Sequence, residues 1–172
     1  FRKTYLNFSA ARPMARRTPH FMNEVIESYE GEDKSELAQG VRDRFIIALG
    51  PDSMFWSRYK EDVNISTEAL DYFETNLLAS GQYYGEKAKR TKSRRDLEFA
   101  LRFYSRFVKE YPYSDFWAQA KYEMAELSYF FGDYAKSSPI YKEVASDASN
   151  QDYRSEAAYG YVLSELKKSG QT

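Results

Sequence analysis

The chain has 172 residues, with 25 Lys+Arg, 26 Asp+Glu, one His and a formal net charge of -1. Its length suits one compact domain or a short repeat array, and the balanced charge gives no reason to expect nucleic acid as a partner of the whole chain. It contains no cysteine, which excludes disulfides, thiolate nucleophiles and cysteine metal sites, and its 17% aromatic content is too high for a disordered tail.

Apolar residues recur at spacings of three and four, the helical period, while strand-like alternation is scarce. In chain order, Phe1 to Phe8 reads as the end of a helix. Thr18 and Pro19, as N-cap and first-turn proline, open a helix over 19–30. The next spans 35–49 and stops at Gly50-Pro51. Ser66 or Thr67 opens a long helix over 66–90. Ser93 with Asp96 forms a capping box for 94–110, which ends before Pro112. Ser114 or Asp115 opens 115–131, closed by Gly132. The segments 135–147 and 152–168 complete the set, the last opened by Asp152. Pro139 is tolerable only in a first turn, so the spacing predicts that its helix starts late, near Ser138. The longest apolar run, Phe45 to Leu49, is far too short to span a membrane.

The chain repeats itself. A shift of 37 residues places Leu97 on Tyr134, Tyr104 on Tyr141, Phe107 on Val144, Ala120 on Ala157 and Tyr122 on Tyr159. A shift of 62 places Ala38 on Ala100, Val41 on Phe103, Phe45 on Phe107 and Ile46 on Val108. Small residues meet small ones and large meet large, the signature of stacked helical hairpins. Phe45, Phe73, Phe103, Phe107 and Trp117 are the expected aromatic core.

Ala100, Tyr104, Phe107 and Pro112, then Tyr122, Ala125, Tyr129 and Gly132-Asp133-Tyr134, resemble tetratricopeptide repeats. The stretch from Tyr111 to Tyr134 is similar to repeats of bacterial envelope proteins of the TolA-binding and outer-membrane-assembly lipoprotein type. The resemblance implies an all-α fold, an α-solenoid of antiparallel helix hairpins in a superhelix of about seven helices. Its units are the end of a preceding repeat at 1–12, a hairpin at 18–51, an extended hairpin with a long first helix at 53–112, a hairpin at 114–148, and the first helix of a following repeat or a capping helix at 152–168. Ser137 departs from the family, which prefers Ala there.

The function implied is a non-catalytic protein–protein interaction scaffold, a fragment of a larger periplasmic or cell-envelope assembly protein, with the cytoplasm as the alternative compartment. Its partners are other proteins: a peptide, a helix or flanking repeats. The first helix of each unit lines the concave face in the family, which assigns partner binding to Gln119, Tyr122, Glu126, Tyr129 and Phe130. Two alternatives stand beside this: a structural spacer in a large machine, and an RNA-processing scaffold of the half-a-tetratricopeptide class.

No catalytic motif is present, neither a Gly-rich phosphate loop nor a nucleophile elbow, so no cofactor, metal or small-molecule substrate is expected. His20 has no second histidine to share a metal and reads as structural or exposed. Glu123 and Glu126 read as a solvated helix face. The run Lys87, Lys89, Arg90, Lys92, Arg94, Arg95 is the clearest charge cluster. It reads either as a patch for an anionic partner or as a solvated connection, and no aromatic interleaves it in sequence.

Overall fold

The computed structural model describes residues 1–148 and 151–170. Among them there is no strand, and nine helices follow in order: α1 (Arg2–Ala11), α2 (Thr18–Glu30), α3 (Ser35–Leu49), α4 (Met54–Tyr59), α5 (Val63–Thr91), α6 (Arg94–Glu110), α7 (Trp117–Phe130), α8 (Tyr134–Ser146) and α9 (Arg154–Lys168). The count exceeds the expected seven by α1, whose end alone was legible, and by α4. The latter is six residues long, too short for a 3.6-residue period to show, and is capped by Ser53, whose Oγ accepts from Trp56 N–H at 3.3 Å.

Several helix starts differ from the expected caps. Thr18 is itself helical; its buried hydroxyl donates to Arg12 C=O at 2.8 Å and so fastens the α1–α2 turn. The long helix starts at Val63 because Asp62, not Ser66, caps it: Asp62 Oδ1 accepts from Ile65 N–H at 3.3 Å. Ser93 caps α6 as expected, accepting from Asp96 N–H at 3.1 Å. Helix α8 starts at Tyr134 rather than late, because Asp133 caps it. Pro139 therefore lies inside the helix and removes the N–H that would bond Ala135 C=O. Both residues face solvent, so water can take the freed carbonyl.

The described residues with left-handed backbone are Asp33 (φ 56°), Lys92 (φ 57°), Gly132 (φ 79°) and Gly170 (φ 71°). Each lies in the turn that follows one long helix, respectively α2, α5, α7 and α9. At two of them the hydrogen bonds form the same paired closure. Asp33 N–H reaches Glu30 C=O and Lys34 N–H reaches Tyr29 C=O; Gly132 N–H reaches Tyr129 C=O and Asp133 N–H reaches Ser128 C=O.

The chain divides into two compact units, Phe1–Tyr83 and Tyr84–Thr172, with the division inside α5. In the first, α1 packs on α2, α2 on α3 and α3 on α4. Val25, Ile26, Ala38, Phe45, Phe55, Phe73 and Leu77 form its dry core. Threaded through it is a polar network. Arg42, only 4% exposed, donates from Nε to Asn76 Oδ1 at 3.1 Å and from its guanidinium to Glu30. Asn76 Nδ2 donates to Asn23 Oδ1 at 3.1 Å and to Tyr72 C=O at 2.7 Å. Gln39 Nε2 donates to Ser80 Oγ at 3.0 Å. A buried guanidinium is tolerable only with such partners.

In the second unit, α6, α7, α8 and α9 each pack on the next, and α7 also meets α9. Ala100, Tyr104, Phe107, Ala120, Ala125, Leu127, Tyr141, Val144 and Ala157 are buried, whereas Phe103 and Trp117 are only half-buried. The helices approach closely where side chains are small. Gly85 on α5 lies against Leu127, and Gly160 on α9 lies against the Tyr141 ring, where an added Cβ would come within 2.7 Å. Ser137 is fully buried with its hydroxyl 2.8 Å from that of Ser164. The α8–α9 seam is therefore sewn by a hydrogen bond that an alanine would forgo.

Candidate interaction surface

The five residues assigned to a concave face fall into three environments. Gln119 Nε2 donates to Glu123 Oε1 at 2.9 Å. Tyr122, Glu126 and Tyr129 stand on the α7 face turned to α8 and α9. Tyr122 is half-buried, edge-on to Tyr141 at 5.9 Å and tilted against Tyr153 at 5.2 Å. Tyr129 is edge-on to Tyr134 at 5.1 Å. Both tyrosines pack against the buried cluster of Ala125, Tyr141, Val144 and Ala157. Most of their ring area is spent on neighbouring helices. Phe130 alone of the five points away, and it is 45% exposed.

Glu123 and Glu126 are not a solvated face. They are half-buried acceptors for two fully buried tyrosines, Tyr104 hydroxyl donating to Glu123 and Tyr141 hydroxyl to Glu126. Burial pushes both hydroxyls well above the ordinary tyrosine range, and the neighbouring carboxylates add to it. Tyr122 is pushed up to about 12, first by burial and then by Glu126. These carboxylates are structural partners, so the face has little left to offer a base or a metal.

The basic run is different. Sequence places no aromatic within it, but the fold brings three alongside. Lys92 Nζ lies 3.9 Å from the centre of the Phe130 ring, the Arg94 guanidinium 5.3 Å from that of Phe131, and Arg95 and Arg102 lie 5.6 and 5.5 Å from that of Phe99. Such contacts contribute about 0.5–1 kcal/mol each at exposed sites. Arg94 also donates to Phe131 C=O at 3.2 Å, at the C-terminal end of α7, where carbonyl dipoles favour a cation. Lys92 holds its place from a left-handed backbone that costs a lysine free energy. Lys87 pairs with Asp96 at 3.9 Å and Lys89 with Glu86 at 3.3 Å, while Arg90 is exposed. The run straddles the end of α5 and the start of α6, and its later half lies against aromatic rings. Three of its six cations, Lys92, Arg94 and Arg95, lie on aromatic rings, and Phe130 is shared with the assigned groove. The separations of Lys92 from Phe130 and of Arg94 from Phe131 are 38 and 37 residues, about one repeat.

His20 sits in the first unit, half-exposed, in a cleft of about 400 Å³ lined by Arg16, Arg17, His20 and Glu68. Its Nδ1 lies 3.2 Å from Tyr72 Oη and 3.9 Å from Glu68. Tyr72 in turn donates to Glu68 at 3.2 Å, and its hydroxyl is pushed up to about 12, by burial first and Glu68 second. The Tyr72 hydroxyl thus bridges His20 and Glu68 across two helices. Among the described residues no three His, Asp or Glu side chains come together as a metal site, and no helix is long and apolar enough to cross a membrane. No family model, no curated protein and no solved structure matches this chain.

Proposed function

We propose that this chain is a non-catalytic protein-interaction scaffold, built as a tetratricopeptide-like solenoid, that receives an acidic segment of a partner protein on the surface formed by Lys92, Arg94, Arg95, Phe99, Phe130 and Phe131. The observation that carries the reading is the set of cation–aromatic pairs in the second unit, two of which join residues 37 and 38 positions apart, with Arg95 on Phe99 beside them. Held side chains lose less entropy on binding, and arginine forks suit carboxylates. The repeat arrangement is supported by the left-handed turns after α2, α5, α7 and α9, and by Tyr104 and Tyr141, buried 37 residues apart with the same kind of acceptor. Within this scaffold Tyr122 and Tyr129 shape the floor, Gln119 and Glu126 hold it, and Phe130 meets the partner. The resemblance to envelope repeats makes the bacterial periplasm the compartment of this proposal.

The test is affinity capture with the immobilised chain from envelope and cytosolic extracts, against a folded variant carrying Lys92→Glu, Arg94→Glu and Phe130→Ala. A specific envelope polypeptide lost with the variant supports the proposal. Capture unchanged by the variant removes this surface from it. The same cation–aromatic pairing favours one other reading, single-stranded RNA, whose bases would stack on the rings. Binding that falls steeply with salt and disappears on ribonuclease treatment would select it.

A further inference from the structure

Helix α6 carries cations well past the end of the run at 87–95. At 100° per residue Arg95, Phe99, Arg102, Arg106 and Lys109 fall on one stripe, and Arg95, Arg102 and Lys109 are exposed along it. The opposite side of the helix is buried through Leu97, Ala100, Tyr104 and Phe107. Within the stripe Arg106 donates to Glu110 at 2.6 Å. Arg95 and Arg102 behave differently. Both guanidiniums lie by the Phe99 ring, 5.6 and 5.5 Å from its centre. Glu98 stands three residues after Arg95 and four before Arg102, the spacing at which helix ion pairs form. Among the described residues it pairs with neither. The ring therefore holds two arginine stems and leaves their N–H forks without a carboxylate.

The spacing of this row selects the form of what it receives. Arg95, Arg102 and Lys109 follow one another at seven-residue intervals, about 10.5 Å apart along the axis. A second helix laid beside α6 also returns to the same face every seven residues. Its carboxylates stay in step with the cations along the whole row. In an extended chain, side chains on one face recur about every 6.8 Å, so the match fails at the second cation. The row begins at Arg95, next to Lys92 and Arg94 of the surface described above, so one partner segment can meet both.

We infer that the acidic segment of the partner is an α-helix that lies along α6, with carboxylates at seven-residue intervals facing Arg95, Arg102 and Lys109. The inference rests on the acid-receiving surface proposed above and gives its ligand a form. Fluorescence anisotropy of the full chain with three labelled peptides, each of about five helical turns, tests it. The first is a helix rich in alanine and glutamine with glutamate every seven residues. The second carries the same glutamates every five residues, which scatters them around the helix. The third is the first with a central alanine changed to proline, which breaks the helix. The first peptide is expected to bind roughly threefold to tenfold tighter than either of the others. Arg102→Gln, at an exposed position, is expected to remove most of that preference with an unchanged circular dichroism spectrum and melting curve. Equal binding of all three peptides, weakened by Lys92→Glu with Arg94→Glu, overturns the helical form and leaves the acid-receiving surface standing. A preference indifferent to Arg102→Gln takes α6 out of the contact and also overturns the inference. Binding of none of the three overturns the surface itself and the inference with it.

Discussion

At the centre of the first unit, Arg42 reaches from α3 to Asn76 and Glu30. At the centre of the second, Tyr104 and Tyr141 reach from α6 and α8 to Glu123 and Glu126. The offset of 62 residues that superposes Phe45 on Phe107 superposes Arg42 on Tyr104, and a further 37 leads to Tyr141. One position in the repeated pattern thus holds a buried donor in both units. The donor is a permanent cation with a buried amide network in one, and a neutral hydroxyl in the other. The packing rule requires a long side chain that fills the interhelical space and ends in a satisfied polar group, and either residue type meets it. The cost is distributed differently. Loss of a partner strands a charge in the first unit and only a hydroxyl or a half-wet carboxylate in the second.

That contrast can be broken most sharply at Asn76. Asn76→Ala leaves Arg42 Nε and Asn23 Oδ1 unpaired in a dry site, and is expected to destabilise the chain by about 2–4 kcal/mol in urea unfolding. Next is Gly160→Ala, whose new Cβ meets the Tyr141 ring at 2.7 Å. Displacing that ring also disturbs its bond to Glu126, and a loss of about 1–3 kcal/mol is expected.

Tyr104→Phe and Tyr141→Phe remove the donors alone, at about 1 kcal/mol each, since the carboxylates can turn to water. They also test the contrast through pH. The folded hydroxyls are held above the ordinary tyrosine value of about 10, so the unfolded chain loses these protons first. Stability is therefore full below pH 10 and declines as pH rises past it. The double variant should flatten the decline. Trp56 lies in the first unit and Trp117 in the second, and they are the only tryptophans, so single-tryptophan variants report each unit by fluorescence. The Trp117 signal should shift first on going from pH 9 towards 11, although Tyr72 gives the first unit a smaller response of the same sign. The smallest effect is at the turns. The first unit places Asp33 where the second places Gly132, and Asp33→Gly should stabilise by up to about 1 kcal/mol, read as a rise in Tm.

Helices with a sustained period were legible to within a few residues, and α3 and α6 to the residue: Gly50-Pro51 stops α3, and Ser93 and Pro112 bracket α6. Helix α4 was not, since six residues show no period. The core was legible where alanine and phenylalanine recur, at Ala38, Ala100, Phe45 and Phe107, all fully buried. Arg42 was not, because a single arginine in a helix pattern looks like surface until its partners at 30 and 76 are folded towards it. The same holds for the candidate surface. The cations of 87–95 are visible as a run, but the rings that hold them, Phe130 and Phe131, stand almost forty residues on. Tyr122 and Tyr129 fit a helix face in sequence, and only the presence of Tyr134, Tyr141 and Tyr153 tells that this face is mostly covered.

Both units also display exposed arginines, and the functional account depends on their difference. In the second unit Lys92 and Arg94 are held on aromatic rings; in the first, Arg16 and Arg17 share a cleft with His20 and with the carboxylate of Glu68. The most direct measurement is therefore a matched pair of charge reversals, Lys92→Glu with Arg94→Glu against Arg16→Glu with Arg17→Glu, compared in quantitative capture of the same partner polypeptide. Each pair changes net charge by the same amount, so a general electrostatic effect would weaken both alike. The account predicts that the first pair abolishes capture while the second leaves it within about twofold. Equal losses, or loss with the second pair alone, would contradict it.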